Sequence, residues 1–285
     1  MAGGGTAPSS MDEATPQRVV PLRHPWTWIA SVAVALIACL VVASVATNPA
    51  FQWSVVAEYM FDAQILIGLA RTLELTVIAM AIGLVLGTVL AMMRLSPNRL
   101  LSTVSWAYIW FFRSVPALVQ LIFWYNFGAL YPTVVLHVPF GPTLFSANTN
   151  TLITPMFAAL AGLGLAQAAY TAEVIRAGIA SVSRGQTRAA MALGMQPLTI
   201  FRRIVFPQAM RVIIPPVGNE VISMVKNTSL VSVIALAELL YTAQLIYART
   251  YETIPLLIVA SLWYLIVVSV LSAGQHVLEH RYRQR

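Results

Sequence analysis

Charge is scarce in this chain: Asp, Glu, Lys and Arg make up 9% of its 285 residues, while 59% are hydrophobic. That is about a third of the charge of a soluble domain, which excludes a water-soluble fold. Cysteine is scarcer still. Cys39 is the only one, so neither an intrachain disulfide nor a thiolate metal site can form. The single lysine, Lys226, follows Val225, whereas a phosphate-cradling Walker loop needs lysine after glycine. The chain therefore cannot hydrolyse ATP by that route. The net charge is +7, but the arginines sit in short blocks between apolar stretches, not along a face interleaved with aromatics, so nucleic acid is not the partner they imply.

What is present is a series of apolar stretches of roughly 20 residues, the length a helix needs to cross a bilayer. Residues 1–24 are read as a disordered tail, rich in Gly, Ala, Ser, Thr and Pro up to residue 17. An extra first span and outer loop occupy 25–63. The run from Trp26 to Ala46 also resembles a signal peptide ending at Ser44-Val45-Ala46, but it is long for one. Further spans are expected at about 64–93, from Pro116 to Leu130, at 152–175, as one broken crossing within 212–252, and at 254–273. Gly83 and Gly87 form a GxxxG step for close helix approach within the protomer. Arg71 and Glu74, three apart, can pair on one face. The small residues Ala159, Gly162, Gly164, Ala166 and Ala169 suit the 152–175 helix to tight burial.

Arginine placement orients the whole. With the amino terminus inside and six crossings, all of the 17 Lys and Arg residues except Arg71, Lys226 and Arg249 fall on the inner side. Both termini are then cytoplasmic, and the expected fold is an all-α polytopic membrane protein. The most polar internal stretch, 176–211, is an inner loop, and 276–285 is a basic inner tail close to anionic headgroups. Within 212–252, Pro215, Pro216 and Lys226-Asn227-Thr228-Ser229 are expected to break the helix. Unwound backbone at membrane depth must be buried in protein or line a wet cavity, which marks the break as part of a solute path.

The inner loop reads GQTRAAMALGMQPLTIFRRIVFPQ over 185–208. It resembles the cytoplasmic EAA loop of the permease subunits of bacterial ATP-binding-cassette importers, with Ala189, Ala190, Gly194, Ile204 and Pro207 at the family's spacings. Arg188 stands where the family has Glu, and Phe206 where it has Leu. Further stretches are similar to the polar amino acid (histidine, glutamine, arginine or opine) branch: GLARTLELT (68–76), WFFRSVPALVQL (110–121) with Arg113, Pro116 and Gln120, AAYTAEVIRAGI (168–179), FPQAMRVIIPPVGN (206–219) and KNTSLVSVIALAEL (226–239). They place a core permease domain at 64–275.

The resemblance implies a type I importer permease fold. It also implies that Gly185, Gln186, Arg188, Ala189, Ala190, Gly194, Ile204 and Pro207 form a coupling loop on an ATPase. ATP and Mg would then be bound by that ATPase, with no cofactor on this chain. The implied partners are two ATPase subunits, a second permease copy or sister permease, an extracytoplasmic substrate-binding protein and membrane lipid. Independently of family, Gly185 and Gly194 bracket a segment able to form a short surface helix whose alanines give a close-packing face.

Ionisable groups inside a bilayer mark pathways or buried pairs. Glu173, Glu220, Lys226 and Glu238, with Asn219, Asn227 and Thr228, either contact the solute or pair off, Glu173 with Arg176 and Glu220 with Lys226 across an interface. An amino acid needs a donor and an acceptor held apart, which helix breaks supply. The function expected is translocation of polar amino acids or related compounds, with no enzymatic step on this chain. An ion-gradient-driven secondary transporter would share the broken span and membrane carboxylates, but does not need the EAA-like spacing. His276, Glu279 and His280 match H-x-x-E-H without an apparent third ligand nearby, and are read as part of an amphipathic tail.

Overall fold

A computed structural model describes residues 25–137 and 143–283; the expected amino-terminal tail lies outside the described residues. The chain divides at Phe51/Gln52. The first unit holds α1 (Pro25–Thr47), apolar on every side, and a single 3₁₀ turn, Pro49–Phe51.

The second unit begins with α2 (Trp53–Tyr59) and α3 (Ala63–Leu95), whose first turn is capped by Asp62 accepting from the Gln64 amide at 2.8 Å. A short link leads to α4 (Arg99–Ser114), capped by Asn98, and α5 (Ala117–Tyr125). These two meet at 99°. The residue before a proline is driven out of the helical region, and Val115 before Pro116 is extended (φ −88°, ψ 127°). Gln120 then holds the corner, its Nε2 donating to the carbonyls of Phe112 (3.1 Å) and Val115 (2.8 Å). The straight third span expected after Pro116 is therefore not formed: α5 has 9 residues, about 14 Å of helix and too short to cross alone.

After α6 (Phe127–Leu130) the chain forms an antiparallel hairpin, β1 (Thr133–His137) with β2 (Thr143–Asn148). Its β-branched and aromatic residues favour extended backbone. Then follow α7 (Thr149–Leu152), α8 (Pro155–Ala180), α9 (Arg184–Ala192), α10 (Pro197–Ile200), a π-helical turn at Phe201–Val205 and α11 (Phe206–Asn227). Contrary to expectation, α11 runs unbroken through Pro215 and Pro216. The two prolines supply no N–H to the carbonyls four residues before them, a loss membrane helices tolerate, and Gln275 adds a bond close by, donating to the Pro215 carbonyl at 2.7 Å. The break comes at the other expected place, the Lys226-Asn227-Thr228-Ser229 cluster, where α11 ends and a 3₁₀ stretch at Thr228–Ile234 follows, ended by Ala235 in the left-handed region (φ 56°). The axis bends by 45° into α12 (Leu239–Thr250). The last helix, α13 (Thr253–Arg283), continues through the segment read as a separate tail.

Among the described residues, 4 helices are long and apolar enough to cross a membrane, or up to 6 if each bent pair is one span. Those of the second unit centre on α8, whose Ala158, Ala159, Gly162, Leu163, Gly164, Ala166, Ala168, Ala169 and Ala172 are all buried. The GxxxG face of α3 lies on it. A Cβ on Gly83 would stand 2.8 Å from Gln167 Cβ, and one on Gly87 2.7 Å from Thr171 Cβ and 2.9 Å from the Ala168 carbonyl oxygen. Side chains of α4 fasten the group, Ser105 donating to the Leu90 carbonyl (2.7 Å) and Tyr108 to that of Leu165 (2.9 Å).

A second knot forms around Glu238, which is fully buried. Its carboxylate accepts from the amides of Leu240 (3.0 Å) and Tyr241 (2.9 Å), from the Tyr264 hydroxyl (2.8 Å) and from the Thr72 hydroxyl (3.3 Å). It caps α12 while tying α3 to α13. The Arg71–Glu74 pair does not form; both residues are exposed, and the ion pair among the described residues is Arg176–Glu173.

Enlarging the α3–α8 contact should be costly. Gly83→Leu is expected to lower the unfolding temperature of the purified chain by several degrees, as overpacking a tight contact costs about 1–3 kcal/mol. Gly274→Leu, where an added Cβ meets nothing within 4 Å, should leave it unchanged.

Candidate functional site

Two helical faces of matching period enclose a cavity of the second unit, apolar over most of its wall with a few polar side chains. From α8 come Leu163, Ala166, Gln167 and Tyr170, and from α11 Glu220, Ser223, Met224 and Asn227. Each set runs i, i+3, i+4, i+7, the spacing of one helix face. Ala117, the first residue of α5, closes one side, and the volume is about 360 Å³. Glu220 is the one charged side chain of the lining, and Gln167 Nε2 donates to its Oε2 (3.4 Å) and to Thr171 Oγ1 (3.2 Å).

Ala117, just after the corner at Pro116, brings the start of α5 to the edge of the cavity. The α5 amides at 117–119 precede the first intrahelical bond, Gln120 N–H to the Pro116 carbonyl; a helix start of this kind leaves donors and a positive dipole end. Gln120 Oε1 is the one buried side-chain polar atom without a hydrogen-bond partner among the described residues. A carboxylate on one side and a helix start on the other match the ammonium and carboxylate ends of an amino acid.

Of the candidates read from sequence, the structure brings Glu220 and Asn227 into this cavity and leaves the others out. Asn219 and Lys226 are exposed on other faces of α11, and Thr228 is buried, donating to the Val225 carbonyl at 2.7 Å. Glu220 and Lys226 form no ion pair. Glu173 is engaged by Arg176, whose Nε lies 3.0 and 3.1 Å from its two carboxylate oxygens. Arg113 reaches over the Tyr170 ring, 5.4 Å from its centroid.

The loop at 184–208 is ordered by local rules. Ser183 caps α9 through the Gly185 amide (3.3 Å). At its other end Gly194 adopts φ 74°, with Gly194 N–H bonded to the Met191 carbonyl (3.0 Å) and Met195 N–H to that of Ala190 (3.1 Å). This pair of bonds is a Schellman motif, which favours glycine at the left-handed position. Ala190 faces inward and is buried; Arg188 and Ala189 are exposed, with Leu193 82% exposed beside them. Whatever surface meets α9 must therefore accommodate a cation at Arg188. Gln208 Nε2 joins the loop to the foot of α11, donating to Gln186 Oε1 (2.7 Å) and to the Ile204 carbonyl (2.8 Å). Ile204 lies in the π-helical turn, and Pro207 is exposed in the first turn of α11.

Residues 83–284 match the family of binding-protein-dependent transport system inner membrane components. The chain belongs to this family. It is thus a multi-pass inner-membrane permease component. The permease is 41% identical over 279 residues to an arginine transport system permease protein of Corynebacterium glutamicum, covering 97% of this chain and 86% of that one. It is also 41% identical over 209 residues to a nopaline transport system permease protein of Agrobacterium fabrum, covering 73% and 83%. Among solved structures, an amino acid ABC transporter with histidines matches with a TM-score of 0.65 at 33% identity, over 76% of this chain and 94% of that one. An inward-facing methionine ABC transporter shares the fold, with a TM-score of 0.58 at 18% identity over 77% and 96%.

Sequence reasoning about the permease missed Gln167 and Tyr170 as cavity residues. Their positions relative to Glu220 follow the matching periods of α8 and α11, which were readable, but which faces meet was not. It also missed Gln275, which is buried, donates to both Pro215 and Glu279 Oε1 (2.8 Å), and lies where a side chain at Gly218 would have to pass.

Gly194→Ala should strain the left-handed position by about 1 kcal/mol and so speed hydrogen exchange of the α9 amides about fivefold. Gly185→Ala, inside the helix with ordinary φ, should slow it instead. Exchange mass spectrometry of the 184–194 segment distinguishes the two.

Proposed function

We propose that the permease carries a polar amino acid through the cavity between α8 and α11, in an importer driven by ATP and Mg held on a partner ATPase. The supporting observation is the pairing of Glu220 with the free start of α5 across one cavity. Glu220 receives the cationic group of the solute, and Gln167 orients that carboxylate. Asn227 and Ser223 supply neutral polar contacts. The α5 amides receive the solute carboxylate, as helix starts receive anions. Because the lining carries one negative and no positive side chain, the substrate class we favour is a basic amino acid. The arginine permease similar over 97% of this chain supports the same choice.

The assembly we infer has two ATPase subunits, a second permease copy or a sister chain, and an extracytoplasmic binding protein. Its orientation puts both termini and α9 in the cytoplasm, as the arginine distribution requires. Residues 64–275 form the core permease domain, and α9 with the following turn couples the ATPase to α11 through Gln186 and Gln208.

In proteoliposomes of the full transporter, arginine uptake is expected to require ATP and to stop with vanadate. Glu220→Gln should lower kcat/KM by roughly 10- to 100-fold, the worth of a charge-assisted hydrogen bond. Undiminished uptake by that variant would remove Glu220 from the path, and uptake that follows an ion gradient but ignores vanadate would favour a secondary transporter. For orientation, Leu193→Cys in a Cys39→Ser background should react with an impermeant thiol reagent only in inverted vesicles; reaction in intact cells would reverse the topology.

A further inference from the structure

A second cavity, of about 560 Å³, lies at the ends of α3, α4 and α8 and has the opposite electrical character. Arg94, Arg113, Arg176 and Glu173 line it, with Trp106 and Trp110. Glu173 is occupied by both nitrogens of the Arg176 fork, which neutralises that pair. Arg94 and Arg113 remain, an excess of two positive charges. Arg94 Nη1 donates to Ser102 Oγ at 2.8 Å, and Arg113 has no hydrogen-bond acceptor among the described residues, its only contact of note being the Tyr170 ring. Each sits in the last turn of its helix, where the carbonyl ends offset part of the charge but leave most guanidinium donors unfilled.

The remaining wall is of another kind. Trp106 and Trp110 stack at 6.3 Å and 15°, and both are more than half exposed. Leu100, Val104 and Phe111 are also exposed on α4. Indole rings favour the membrane–water boundary, and Arg94 marks the end of a membrane-length helix, which places the cavity at headgroup depth. A site there with free guanidinium donors and an apolar, aromatic approach fits a ligand with a phosphate at one end and hydrocarbon at the other.

We propose that this cavity binds the headgroup of an anionic phospholipid, with Arg94 and Arg113 holding the phosphate and the α4 indoles lying against the glycerol and upper acyl chain. Basic pockets between membrane helices bind such headgroups by this chemistry. The site is separate from the solute cavity, although Tyr170 borders both.

Native mass spectrometry of the purified full-length permease tests it, using phosphatidylglycerol and phosphatidylcholine as matched probes. Two arginines near a membrane surface predict a preference for phosphatidylglycerol of roughly thirtyfold. The double variant Arg94→Gln/Arg113→Gln should lose that preference, while Arg202→Gln/Arg203→Gln, exposed in the π-helical turn, should keep it. Equal retention of the two lipids by the unaltered protein overturns the proposal without reference to any variant's folding. So does a preference that survives in the double variant, or one lost equally in the control. Displacement of the lipid by millimolar inorganic phosphate would overturn it in favour of a free-anion site.

Discussion

The closeness of α3 to α8 is the constraint on which the rest depends. In lipid there is no hydrophobic force to drive helices together, so contact relies on packing and hydrogen bonds between backbones that can come near. Gly83 and Gly87 remove the obstacle at Gln167 and Thr171. With α3 pressed against it, Gln167 spans from Thr171 to Glu220, so the same glycine face that joins two helices also sets one wall of the cavity between α8 and α11.

A buried carboxylate normally costs more than it returns unless its oxygens are filled with donors. Glu238 meets that condition with two backbone amides and two hydroxyls from three different helices. Thr72 takes part twice, donating to Glu238 and accepting from the Leu239 amide at 3.2 Å. The chain can therefore turn from the 3₁₀ stretch into α12 while staying attached to α3 and α13. Glu173 solves the same problem differently, through a neighbouring arginine on its own helix.

Much of this was legible because it is periodic or local. The glycine step at Gly83 and Gly87, the small-residue face of α8, the Glu173–Arg176 pair three residues apart and the helix between Gly185 and Gly194 all follow from spacing along one element. What stayed hidden depends on direction or on partners far along the chain. Hydropathy is one-dimensional, so it could not show that Pro116 turns the axis by 99°. Proline content suggested a break at Pro215 and Pro216, yet the helix runs through both, with Gln275, 60 residues on in sequence, bonded to it there. Glu220 and Lys226 share α11 but have different surroundings within the chain, one lining the cavity and the other exposed.

Helix α11 joins the loop at 184–208 to the cavity between α8 and α11 as one piece, and Gln275 grips it beside Gly218. Measured at 1.5 Å per residue, the arm from Phe206 to Gly218 is about 18 Å and the arm from Gly218 to Asn227 about 14 Å. Pro215 and Pro216 bring no N–H to the helix and Gly218 no side chain, so this is the stretch of α11 least able to resist bending, and it is the stretch that the last helix clasps.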